Sequence, residues 1–220
     1  MVITMQNLTR GVLLSVEGID GSGKSTLANK LKDALQKKNI PVLLTYEPGD
    51  SELGKQLREL LQKKPVPMCD KAEYLLYAAD RAQHFEQLIV PTLKEKKLIV
   101  SDRMHDSSVA YQGYGRKLDI DLIKKINSFA MQGVQPDLTL YIQIPLEVAL
   151  ERLKKRKGRP TSMEQEKEAF TKRVINGFDT LFANRHNVLT LDGRQDADML
   201  TKMALANIMR FLQDKKLLQP

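Results

Sequence analysis

The stretch Gly11-Val12-Leu13-Leu14-Ser15-Val16-Glu17-Gly18-Ile19-Asp20-Gly21-Ser22-Gly23-Lys24-Ser25-Thr26 decides the fold class. Gly11 to Glu17 is an apolar, β-rich run that ends in glycines. From Lys24 onward, apolar residues at Leu27, Leu31, Ala34 and Leu35 make a helical stripe. A glycine-rich loop between a strand and a helix, closing on Gly-Lys-Ser, is the P-loop pattern in the context that motif requires. Glycines remove Cβ atoms, so consecutive N–H groups can converge on phosphate oxygens, and the helix N-terminus adds a favourable dipole. Lys24 can bridge the outer phosphates of a nucleotide, and the Ser25 hydroxyl can ligate magnesium. Gly18, Ile19, Asp20, Gly21, Ser22, Gly23, Lys24, Ser25 and Thr26 are therefore the candidate ATP-binding set.

Outward from this loop the strand-then-helix pattern repeats. Pro41–Tyr46 reads as a second strand stopped by Pro48-Gly49, and Asp70–Val90 as a long helix ended by Pro91. Lys97–Ser101, Leu138–Ile144 and Asn187–Leu191 read as further strands. Asp119–Met131, a segment from Leu146, and Asp196–Asp214 read as helices. Short β runs separated by helices predict a three-layer α/β fold: a five-stranded parallel sheet flanked by helices, of the P-loop NTPase class. In such sheets ligands sit at the carboxyl ends of the strands. The 220 residues fit a single domain, with 42% apolar and 28% charged residues as in ordinary globular chains. Cys69 is the one cysteine, so no internal disulfide forms. His84, His105 and His186 match no zinc spacing and read as surface or partly buried rings. No apolar run is long enough to span a bilayer and no signal peptide is expected, so a reducing, cytoplasmic setting is the simplest fit.

Charge and punctuation narrow the chemistry. Leu98-Ile99-Val100-Ser101-Asp102 is an apolar strand delivering an acid at its carboxyl end, where Asp102 can orient magnesium or its waters. Of the net charge of +8, a surplus of +5 lies in residues 151–159, from Arg152 to Arg159. A basic flap closing over transferring phosphates has this composition. The only Asn-Lys pair, Asn29-Lys30, runs into Leu31-Lys32 rather than an Asn-Lys-x-Asp base-reading loop, which argues against a GTPase. With no tryptophan and 5% aromatic residues, the chain lacks the stacking platforms of a nucleic-acid motor. For a second substrate, Tyr77 and Arg81 share a helix face and can cradle a base and a phosphate. Arg103 follows where the sheet opens, and the Gln112 amide can read a base edge through paired hydrogen bonds. The alternatives are a kinase for another acceptor, and a P-loop binding protein whose basic patch meets nucleic acid.

These residues, taken together, resemble the thymidylate kinase (dTMP kinase) family of P-loop nucleoside monophosphate kinases, over about Gly11 to Ala206. The resemblance rests on Glu17–Thr26, Glu47-Pro48-Gly49, Leu75–Gln83, Asp102-Arg103, Asp106–Gly113 and Pro136–Tyr141. It implies phosphorylation of dTMP to dTDP by MgATP, in a homodimer, with no nucleic-acid or membrane partner. It further implies that Asp20 sits by the acceptor's sugar hydroxyl, that Tyr77 stacks on thymine, and that Arg81 and Arg103 hold the acceptor phosphate. Ser108 and Gln112 would read the thymine edge, and Tyr111 would crowd the 2′ side of the sugar. Glu47, with Pro48 after it, and Asp102 would lie near the acceptor and the magnesium. With glycine at position 21, the chain is similar to the bacterial type whose lid arginines supply catalytic positive charge. Arg152 and Arg156 are the candidates here, with Arg159 behind them, in a basic lid at about 150–165. Lys24, Asp20 and Arg103 complete the catalytic set. The sequence departs from the family in having Tyr46 for Arg before Glu-Pro-Gly, Asp50 for Gly after it, Met104 for Tyr after Asp-Arg, and Thr161-Ser162 for the Asp-Arg pair of the lid.

Overall fold

The computed structural model describes residues 6–155, 160–164 and 166–219. Its centre is β1 (Val12–Glu17), buried along its whole length. The apolar run has both faces covered, as expected of an inner parallel strand. Val12, Leu14 and Val16 pack on one side with Leu27, Leu31 and Leu35 of α1 (Lys24–Lys37). Leu13 points the other way, into a second cluster with Phe85, Ile89, Ile99 and Met131. This alternation is the two-residue period of a strand used on both faces.

β2 (Val42–Tyr46) is followed by α2 (Glu52–Lys63), α3 (Asp70–His84), a π turn at Phe85–Ile89 and α4 (Val90–Lys94). Then come β3 (Leu98–Asp102), α5 (His105–Ser108), a second π turn at Val109–Gly115 and α6 (Ile120–Ala130). β4 (Leu138–Gln143), α7 (Leu146–Lys155), α8 (Glu168–Phe182), β5 (Val188–Asp192) and α9 (Ala197–Asp214) complete the order. The sheet has five strands in the order β2-β3-β1-β4-β5, all neighbours parallel. Val16 and Tyr46 both pair with Asp102. The carboxyl ends of β1, β2 and β3 are therefore nearly level, and residues 17, 47 and 103 lie side by side.

The structure bears out the expected sheet, corrects one helix boundary and adds three helical segments. The long helix does not stop at Pro91: Pro91 lies inside α4, reached through the π turn at Phe85–Ile89. Proline is tolerated there because it sits in the first turn of α4, where its missing N–H removes little. Helix α2, the helical segment His105–Gly115 and α8 have no counterpart in the sequence reading. The signal for α8 was present, since Phe170, Val174, Phe178 and Phe182 recur every four residues and all are buried.

Candidate active site

The P-loop runs from the end of β1 to the start of α1, and its glycines have a local cause. Gly18 (φ 146°) and Gly21 (φ 81°) lie at positive φ. A Cβ at either would come within 2.7 Å of a backbone oxygen, of Ile142 and Ala149 respectively. Lys24 opens α1 and is buried, its Nζ donating to the Ile19 carbonyl at 2.8 Å. Burial first, and then the Arg103 charge, push its pKa down to about 8. Ser25 Oγ donates to Asp102 Oδ2 at 2.5 Å, so the loop hydroxyl and the strand-end acid meet.

Arg103 follows β3 with φ 74°, its N–H donating to the Val16 carbonyl at 3.0 Å. Its guanidinium donates to the Gly18 carbonyl (3.0 Å), to Ser107 Oγ (3.1 Å) and to Asp20 Oδ1 (2.5 Å). It also lies over the Tyr111 ring, 5.1 Å from the centroid. Burial would raise the Asp20 pKa, but Arg103 and Lys24 outweigh it and hold the carboxylate below its usual range. Tyr111 Oη accepts from the Asp20 N–H at 3.2 Å. Glu17, at the end of β1, accepts from the Met104 N–H (2.8 Å) and Ser107 Oγ (2.6 Å), and so seats the start of α5. Burial and the Asp106 charge push Glu17 up, to about 8.

Facing the P-loop, α3 presents Tyr77 and Arg81 to the cleft. Arg81 is buried and clasped by Glu47, with Nε at 2.9 Å and Nη2 at 2.8 Å from Oε2. Its Nη1 donates to Ser108 Oγ (3.0 Å) and Asn127 Oδ1 (2.7 Å). Burial opposes the Glu47 charge, yet Arg81 and His84 hold its pKa below the usual range. His84 is not the surface or partly buried ring expected. It is fully buried, with Nδ1 3.0 Å from Glu47 Oε1 and Nε2 2.6 Å from Thr45 Oγ1. Gln112 lines the cleft, and its Nε2 donates to Glu73 Oε1 at 3.2 Å.

These groups surround one cleft of about 660 Å³. Asp20, Gly21, Gly23, Lys24, Ser25, Thr26, Asp102 and Arg152 line it, together with Glu47, Pro48, Tyr77, Arg81, Arg103, Ser108, Tyr111 and Gln112. Gly18, Ile19 and Ser22 are outside its lining. Arg152, in the last turn of α7, donates to the Gly193 carbonyl at 2.8 Å and to the Ser22 carbonyl at 3.4 Å. Arg156 and Arg159 lie outside the described residues. The sequence reading missed the contribution of α2, which brings Arg58, Leu61 and Gln62 to the cleft wall. The Arg58 guanidinium covers the Tyr46 ring at 5.3 Å and donates to the Pro48 carbonyl at 2.6 Å. Ser51 caps α2 by accepting from the Gly54 N–H. A capping serine followed by Leu53, Leu57, Leu60 and Leu61 was a readable helix signal.

The residues present fit a magnesium ion. Ser25 and Asp102 offer hard oxygen ligands. Among the described residues no group of three or more His, Cys, Asp or Glu forms a metal cage. An ion held by few protein oxygens, with phosphates and waters filling the rest, is magnesium's habit.

Comparison with known proteins agrees with this geometry. The model of the family described as Thymidylate kinase matches residues 16–203. The thymidylate kinase of Carboxydothermus hydrogenoformans is 45% identical over 84% of this chain and 91% of its own. That of Lactobacillus helveticus is 40% identical over 93% and 99%. A crystal structure of thymidylate kinase from Ehrlichia chaffeensis superposes with a TM-score of 0.72 at 29% identity, covering 90% of this chain and 99% of that one. On its sequence, its sheet and its cleft alike, the chain belongs to the thymidylate kinase family.

Proposed function

We propose that this chain transfers the γ-phosphoryl group of ATP to dTMP, giving ADP and dTDP, a step in dTTP synthesis. The observation that carries the reading is the single cleft with a P-loop along one wall and Tyr77, Arg81 and Gln112 along the other. Family membership supplies the two substrates. The acceptor is already an ionised phosphate, so the protein needs no strong base. Its task is positioning and neutralisation of charge.

The family resemblance implies the roles, and the placement of the residues around one cleft supports them. Loop N–H groups and Lys24 bind the donor phosphates. Ser25 and Asp102 would hold magnesium, which when bound screens charge on the donor phosphates. Arg81 and Arg103 grip the acceptor phosphate from two sides, and Asp20, paired with Arg103, faces the sugar beside Tyr111. Tyr77 stacks on the base, and Ser108 and Gln112 read its edge. Arg152 is the described lid arginine nearest the P-loop, with Arg156 proposed beside it in a lid at about 150–165 of a single kinase domain.

We further place the protein in the cytoplasm, where its nucleotides are found and where the free, exposed Cys69 stays reduced. Among the described residues no helix is long and apolar enough to cross a membrane. A homodimer is supported by the apolar side chains that α3 and α6 leave exposed: Leu75, Leu122 and Phe129, the last 84% exposed. A panel of acceptors offered with MgATP, read as ADP release, tests the function. dTMP should far exceed dCMP, dAMP, dGMP and thymidine. ADP release independent of dTMP would overturn the reading.

A further inference from the structure

Gln112 is an amide with a donor end and an acceptor end, and it faces a cleft that we read as holding a pyrimidine. What the cleft recognises depends on which end points where. An amide that reads thymine at N3 must accept the N3 proton through its oxygen, with its N–H turned to a carbonyl or to the protein. Cytosine, with an amino group at C4 and a bare N3, needs the same amide reversed. The residue behind Gln112 settles the choice.

Glu73 stands behind it, on α3 and buried. Its Oε1 accepts from Gln112 Nε2 at 3.2 Å. Arg116 donates to the same carboxylate through Nε (3.2 Å) and Nη2 (3.1 Å), and Lys64 Nζ lies 2.5 Å from Oε2. Against the cost of burial, these two cations hold the Glu73 carboxylate below the usual range, so it is ionised at neutral pH and can only accept. Arg116 is itself fixed, paired with Glu166 at 2.5 Å and lying over the Phe170 ring at 4.7 Å. Reversing the Gln112 amide would place Oε1 against this carboxylate, two acceptors with no proton between them.

We propose that Glu73 is a positioning residue for acceptor specificity: it locks the Gln112 amide in the one orientation that reads thymine or uracil and refuses cytosine. This rests on the dTMP reading given above. Glu73 touches no substrate in this account and acts only through Gln112.

The test is Glu73→Gln, which keeps the shape but offers both a donor and an acceptor, so that Gln112 can take either orientation. The readout is the ratio of kcat/KM for dTMP to that for dCMP, which is independent of the fraction of folded enzyme. In the wild type a base-reading site of this kind should give a ratio of about 10³ or more. In E73Q the ratio should fall at least tenfold, through a higher KM for dTMP and new turnover of dCMP, with kcat for dTMP changed less. In a Gln112→Ala background, E73Q should leave the ratio unchanged within twofold. Independently of any Glu73 variant, the Gln112 side-chain amide of the wild type, assigned by its loss in Q112A, should show one proton protected from solvent exchange. A wild type active on dTMP whose ratio is unmoved by E73Q overturns the proposal, as does an unprotected Gln112 amide. A wild type inert on dTMP overturns the function reading instead, and this inference with it.

Discussion

Arg81 is the residue whose removal separates binding from stability, and the structure gives the size of both effects. A guanidinium has five N–H donors. The Nε N–H goes to Glu47 and the two on Nη1 go to Ser108 and Asn127, while Nη2, an ion-pair partner of Glu47 at 2.8 Å, keeps N–H capacity for a ligand. One charge-assisted hydrogen bond contributes about 1.5–3 kcal/mol, so Arg81→Ala should lower kcat/KM for dTMP by about 10- to 150-fold. The same change strands the buried Glu47 carboxylate. Removing one partner of a buried pair costs about 3–5 kcal/mol. His84 remains at 3.0 Å from Glu47, which places the loss at the low end. For a chain of this length about 3 kcal/mol corresponds to a drop in Tm of about 6–12 °C. The double variant Arg81→Ala/Glu47→Gln neutralises the stranded acid, so it should recover most of the Tm while dTMP kinetics stay impaired. ADP release titrated with dTMP and thermal unfolding of the same preparations give both readings. R81A within threefold of wild type on dTMP would refute the acceptor role. A double variant as unstable as R81A would refute the ion-pair argument.

Two further outcomes test the donor site and the assembly. Because burial and Arg103 lower the Lys24 pKa to about 8, the folded protein holds fewer protons than the unfolded chain between about pH 8 and 10.5. The charged lysine is thus an unfavourable contribution below about pH 8 that is relieved as pH rises. Triphosphate binding must restore the charge, so calorimetry at pH 8.5 in buffers of differing ionisation enthalpy should show uptake of roughly 0.75 proton; binding heats independent of the buffer would refute it. Phe129→Glu should convert a dimer to a folded monomer by light scattering, whereas an unchanged dimer mass would remove α6 from the interface.

What was legible in the sequence and what was not divides along a physical line. Lys24, Ser25, Asp102 and Arg103 stand at strand ends or in loops marked by glycine and by a change from apolar to charged residues. A strand terminus is local information, and ligands gather at such termini. Tyr77, Arg81 and Gln112 were legible as chemistry but not as geometry, because nothing in their own segments says what stands behind them. Three buried glutamates do that work. Glu17 seats the Met104 N–H and Ser107, which also accepts from Arg103. Glu47 clasps Arg81, and Glu73 holds Gln112. Each reaches across some 34 to 90 residues of chain, a distance set by the register that levels β1, β2 and β3 and by the packing of α3 against its neighbours. In the sequence Glu73 looks like any surface acid and His84 like any surface histidine, and the motifs that mark Glu17 and Glu47 do not say which groups they hold. A buried carboxylate without partners would be too costly to keep. Its burial therefore points to the group it holds, and Met104, Ser107, Arg81 and Gln112, so held, all line the cleft. The proposed division of labour follows: Arg81, Arg103 and Gln112 meet the acceptor, and Glu47, Glu17 (through Ser107) and Glu73 behind them fix the direction in which those side chains point.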